Sequence, residues 1–224
     1  MTHKQDISTS VSETPDASRR RFFVKAATAA VAVPLAGVPM IAVAQAPIVF
    51  KMQGSWGTNE IFSEMAQQYV TRVNEMSGGR LKIEYLPAGA VVKPFEIIDA
   101  VSKGVLEAGH HVSGYWYGKN KSASLFGTGP VSGATPDIGL SWIQAGGGQQ
   151  LWDKLVAKMN LNVVGFFSFP MPSQPLGWFK KSPPKKAADL KGFKYRTIGL
   201  AADMLQEMGM AVAQLPGGEI VPNQ

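Results

Sequence analysis

Residues 48–89 read IVFKMQGSWGTNEIFSEMAQQYVTRVNEMSGGRLKIEYLPAG. Ile48 to Gln53 predicts a short strand, and Gly54-Ser55-Trp56-Gly57-Thr58 the loop that leaves it. Asn59 is the expected cap of a helix in which Ile61, Phe62, Met65, Ala66, Tyr69, Val70 and Val73 recur at helical spacing, stopped by Gly78-Gly79. Leu81, Ile83 and Tyr85 then alternate with Lys82 and Glu84, the pattern of a half-buried strand. After the Pro87-Ala88-Gly89 turn, Phe95, Ile98 and Val101 mark a second helix ending near Gly104, and Ala108 to Ser113 a third strand. The order β-α-β-α-β implies parallel strands joined by crossover helices, an α/β fold whose ligand crevices lie beyond the carboxyl ends of the strands.

Towards the C-terminus the Gly- and Pro-rich passage Gly127 to Gly139 separates this unit from a second one. A helix is expected from Gln149 to Met159 on Leu151, Trp152, Leu155 and Val156, then strands at Leu161 to Phe167 and Leu176 to Lys181. Ser182-Pro183-Pro184 follows, then a strand at Lys194 to Thr197, a helix from Leu200 to Met208 and a strand from Ala211 to Leu215. The expected division is a first α/β lobe over 45–135 and a partial second α/β lobe over 136–224. The second reads as unfinished, because Pro216 to Ile220 would open another element.

Towards the N-terminus, Ser18-Arg19-Arg20-Arg21-Phe22-Phe23 and Lys25 precede an uncharged, Ala-rich stretch from Ala26 to Ala44 that ends in Ala42-Val43-Ala44. That is the pattern of a twin-arginine-type signal peptide over 1–44, with the mature chain beginning near Gln45. Pro34, Gly37 and Pro39 interrupt the stretch and argue against a membrane span. The expected location is the periplasm. The chain has no Cys, which removes thiol catalysis, thiolate metal sites, disulfides and a lipid-anchoring cysteine. Its net charge of +6 falls to +4 without the first 44 residues, spread over 17 basic and 13 acidic side chains with no dense basic stripe, so no nucleic-acid partner is expected.

Motifs for catalysis are missing. Neither Gly127-Thr128-Gly129-Pro130 nor Gly146-Gly147-Gly148 fits a phosphate loop, and there is no G-x-S-x-G elbow and no H-E-x-x-H. His110 and His111 are neighbours on a predicted strand, where adjacent side chains point to opposite faces and cannot ligate one metal together. Arg196 stands apart: it sits in the apolar-flanked strand Tyr195-Arg196-Thr197-Ile198 just before a Gly-initiated helix, and a guanidinium there can grip a carboxylate with two parallel hydrogen bonds. The same arginine on an edge strand is also compatible with a solvated surface side chain. Tyr115-Trp116-Tyr117 fits either a pocket wall or packing between lobes, and Gln174 can offer an amide to a ligand or a hard cation.

Taken together, these segments resemble the DctP-type solute-binding receptors of tripartite ATP-independent periplasmic (TRAP) transporters, in the branch of 2-oxo acid and mannitol or chloroaromatic receptors. The carrying stretches are Leu86 to Val92, Gly114 to Lys119, Gly146 to Trp152, Gln174 to Phe179, Asp189 to Arg196 and Leu215 to Ile220, in family order. The resemblance implies a two-lobed, type II-like periplasmic binding protein, not an enzyme, that closes on a small 2-oxo or hydroxy acid and hands it to TRAP membrane subunits. It implies Arg196 as the carboxylate clamp, Tyr115 and Trp116 as the aromatic cleft wall, and Gln174 as a donor to a bound Na+ or Ca2+ bridging the substrate. A homodimer is expected of the full-length parent. The chain departs from the pattern at Pro170-Met171-Pro172-Ser173, where relatives carry a Gly-Asn-Thr-Gly-like turn, and it lacks the segments that follow Pro222 in the family, so a C-terminal truncation is expected. Two alternatives stand beside the receptor: a periplasmic enzyme exported by the twin-arginine route, and a truncated remnant that does not bind.

Overall fold

The computed structural model describes residues 46–127, 135–168, 177, 179 and 182–220. The stretch read as a signal peptide, Gln174 and most of the strand expected at Leu176 to Lys181 lie outside the described residues. The described residues belong to one contact unit, Gln45–Gln224.

The first half builds a three-stranded parallel sheet. Strand β1 (Ile48–Gly54) is central, with β2 (Leu81–Leu86) on one side and β3 (Ala108–His110) on the other. Phe50 pairs with Ile83, Met52 with both Tyr85 and Ala108, and Gly54 with His110, so all three strands end at the same edge. Helix α1 (Ile61–Met76) connects β1 to β2. A 3-10 turn (Pro94–Glu96) and helix α2 (Ile97–Ser102) connect β2 to β3. Ile97, Ile98 and Ala100 are buried, as are Ala66 and Val70 of α1, which is how a crossover helix hides one stripe of side chains.

Helices α3 (Pro136–Ala145) and α4 (Gly148–Lys158) follow, then strand β4 (Lys194–Arg196), helix α5 (Leu200–Glu207) and strand β5 (Ala211–Ala213). β4 and β5 form a second parallel pair, Arg196 opposite Ala213. The core holds Ile98, Tyr115, Trp116, Ala123, Trp152, Leu155 and Val156. Trp116 and Trp152 lie 4.7 Å apart, and the Phe126 ring meets Trp152 at 5.1 Å. Each such pair adds about 0.5–1.5 kcal/mol beyond its burial.

Four expectations are corrected. Glu60 rather than Asn59 occupies the position before α1, because the Gly57 N–H is taken by the Glu60 carboxylate at 2.9 Å and fixes the chain there. β3 stops at His110 instead of reaching Ser113. A 3-10 turn at Ser113–Trp116 takes over and buries Tyr115 and Trp116. Helix α3 begins inside the passage read as a linker, where Pro136 sits at a first-turn position that needs no amide hydrogen. Residues 161–168 show the expected period-two burial but form no strand. Their polar groups turn elsewhere, the Asn162 N–H donating to Ser102 Oγ at 2.9 Å and the Gly165 carbonyl accepting from Gln149 Nε2 at 3.0 Å.

Candidate functional site

Both sheets deliver their carboxyl ends to one place. β1 runs out into Ser55 and Trp56, β3 into His111 and the turn carrying Tyr115, β4 into Thr197 and β5 towards Leu215. These ends line a cavity of about 2330 Å³ that includes Trp56, Glu60, Tyr115, Trp116, Arg196 and Gly217. Crevices at the carboxyl ends of parallel strands are where α/β folds bind ligands, since the connecting loops diverge there.

Arg196 is half-buried, and its Nε and Nη2 both donate to the Leu215 carbonyl, the former at 2.8 Å. That single acceptor orients the guanidinium and holds it beside the Tyr115 hydroxyl. Tyr115 is 9% exposed, and its Oη accepts the Gly217 N–H at 3.1 Å. Burial pushes the phenol up from its ordinary value, the Gly217 amide and the Arg196 guanidinium pull it down, and the Glu60 carboxylate pushes it up again. The phenol therefore keeps its proton at neutral pH, and one hydroxyl can accept from Gly217 while donating to an anion beside Arg196.

Trp116 also borders the cavity but is only 4% exposed. Its indole N–H donates to His111 Nδ1 at 2.9 Å, so it offers a ring rather than a polar edge. His110 packs on Trp56 at 4.9 Å. Burial lowers His110 to about 4 and His111 to about 3, the latter helped by its neighbour. Both rings are neutral at physiological pH, and a neutral His111 is what Trp116 needs as acceptor. Arg196, Tyr115 and Trp116 thus come to one cavity, while Gln174 lies outside the described residues. Among the described residues no group of three or more His, Cys, Asp or Glu side chains is placed to hold a metal ion, so they do not by themselves make a cation site.

The sequence reading overlooked Glu60, Trp56 and the Leu215–Gly217 segment as site builders. Trp56 stands two residues beyond β1, which could have drawn attention to it, but Glu60 reads simply as a residue in the first turn of a helix. The role of the Leu215 carbonyl leaves no trace in residue types.

A sequence profile of bacterial extracellular solute-binding protein family 7, DctP, matches residues 52–223. A monocarboxylate 2-oxoacid-binding periplasmic protein of Nostoc sp. is 37% identical over 171 residues, 76% of this chain and 46% of that protein. A TRAP periplasmic solute-binding protein of Pseudoalteromonas atlantica, with bound sodium and pyruvate, has a TM-score of 0.67 at 29% identity, over 79% of this chain and 53% of that one. A TRAP transporter solute-binding protein of Bordetella bronchiseptica, a mixed-occupancy dimer with copurified calcium and picolinate, has a TM-score of 0.72 at 30% identity, over 80% and 52%. The chain spans about half the length of these relatives, and its fold is the two-lobed α/β fold that they share. On this match across nearly all of its described residues, the chain belongs to the DctP family of bacterial extracellular solute-binding proteins.

Proposed function

We propose that the protein is the periplasmic receptor of a TRAP transporter, capturing a small 2-oxo or hydroxy acid for uptake, with Arg196 gripping its carboxylate. The observation that carries this is the Arg196 guanidinium, oriented by the Leu215 carbonyl and set beside the Tyr115 hydroxyl within the cavity. A planar fork next to a protonated phenol matches a carboxylate with donors on two sides. The named ligands of the relatives, pyruvate and picolinate, are monocarboxylates of that size. Trp116 gives the aromatic wall, and residues 45–135 and 136–224 are the lobes that close on the acid. Binding favours closure only by as much as the acid prefers the closed state.

Three further parts belong to the same reading. Residues 1–44 act as a twin-arginine-type signal peptide. Gln174 is the donor for a sodium or calcium ion of the kind held by the two relatives. The full-length receptor pairs as a homodimer, as one relative does. Calorimetric titration with pyruvate tests the core of the reading. Arg196→Ala is expected to weaken binding roughly 100-fold, the loss of two charge-assisted hydrogen bonds. Equal affinity of wild type and variant would falsify the assignment.

A further inference from the structure

Glu60 brings a fixed negative charge to the cavity that holds Arg196. Its carboxylate Oε1 accepts the Gly57 N–H at 2.9 Å, and its own N–H donates back to the Gly57 carbonyl at 3.1 Å, so the side chain is pinned from both ends of one short turn. It faces the Gly217-Gly218 step. A Cβ on Gly218 would sit 3.4 Å from Glu60 Oε1, and one on Gly217 would sit 3.9 Å from Oε2 and 3.4 Å from the Trp56 ring. Gly217 is the residue whose N–H reaches Tyr115, so the carboxylate, the glycine step, the phenol and the guanidinium are consecutive neighbours. Tyr115 feels both charges, the guanidinium stabilising its ionised form and the carboxylate opposing it. Among the described residues, the other carboxylate bordering the cavity, Glu107, is exposed and accepts the Lys51 N–H at 2.8 Å.

We infer that Glu60 is a specificity-determining residue that restricts the cleft to acids with a single carboxylate. This rests on the receptor reading above. An anion held by Arg196 and Tyr115 places the rest of its skeleton in a space of about 2330 Å³, ample for a dicarboxylate, so size does not reject one. Charge does. A second carboxylate near the Glu60 end meets a like charge in a partly desolvated site, where such juxtapositions suppress wrong partners. A neutral tail of equal length meets no such opposition.

The test is calorimetric titration of the purified protein with 2-oxobutyrate and with 2-oxoglutarate, on wild type, Glu60→Gln and Glu60→Asp. Glutamine keeps an oxygen for the Gly57 N–H and removes only the charge. Wild type is expected to prefer the monocarboxylate by roughly tenfold or more. Glu60→Gln is expected to narrow that preference about tenfold, and Glu60→Asp to retain it. Binding of 2-oxobutyrate with an unchanged preference in Glu60→Gln overturns the role of Glu60 and leaves the receptor reading standing. Failure of folded wild type to bind either acid overturns both. Matching melting curves for the three proteins show that the preference, not folding, has changed.

Discussion

At the scale of single residues, the site depends on groups whose charge state is set by what surrounds them. His110 and His111 are held neutral by burial, at about 4 and about 3. In the unfolded chain both titrate near 6.5, so the unfolded state binds more protons than the folded state in the interval between. Folding stability is therefore full above about pH 6.5 and falls as pH drops through that value towards 4. A loss of roughly 3–5 kcal/mol between pH 7 and pH 4.5 is expected from the pair, the lower figure allowing for the partial exposure of His111. Urea titrations at several pH values measure it. His111→Gln should flatten part of the slope, and an unchanged slope in that variant would show that the ring titrates normally. Arg196 and Glu60 belong to this scale too: each owes its orientation to one backbone group, the Leu215 carbonyl and the Gly57 N–H.

At the scale of elements, the parallel sheet is fixed by how closely α2 lies on β3. A Cβ on Gly109 would meet Ile97 Cγ2 at 2.5 Å, and Ile97 has no exposed surface into which to retreat. Gly109→Ala is expected to cost roughly 1–3 kcal/mol by overpacking, a fall in Tm of several degrees. Gly118→Ala, where a Cβ has nothing within 4 Å, serves as the near-neutral control. Equal melting temperatures for the two variants would contradict the close packing of α2. The pattern of apolar residues made β1, α1, β2, α2, α4 and α5 legible in advance. It failed at the end of β3, at α3 and at 161–168. Val112 lies between His111 and Ser113, and Leu161 to Phe167 is a mostly apolar run, both strand-like in sequence, but pairing needs a partner backbone alongside, and no local pattern encodes that.

At the scale of the whole molecule, the segment after β3 is tied to α5 by a small polar cluster. Lys121 Nζ lies 2.8 Å from Asp203 Oδ2, the Tyr117 hydroxyl donates to the same oxygen, and Lys121 sits 5.4 Å from the Tyr117 ring centre. These contacts join chain from the two expected lobes, and on the proposed receptor function they favour the closed arrangement. Exposed pairs contribute little to folding, so the effect is expected in the open-closed balance. Asp203→Ala should enlarge the radius of gyration of the unliganded protein and weaken pyruvate binding roughly two- to fivefold, with liganded forms of equal size. Identical scattering of variant and wild type without ligand would dismiss the latch.

By itself, the sequence determined the α/β class, the parallel run of the first three strands and the family. Those follow from periodicity, turn residues and side-chain chemistry, all of which are local or carried by motifs. Only the tertiary structure decided what stands around Arg196. Tyr115 lies 81 positions before it, Glu60 still further back, and Leu215 beyond the next helix and strand. They meet because the two parallel sheets direct their carboxyl ends into one cavity. Which charges share a low-dielectric space is a property of that meeting, and no single stretch of chain contains it.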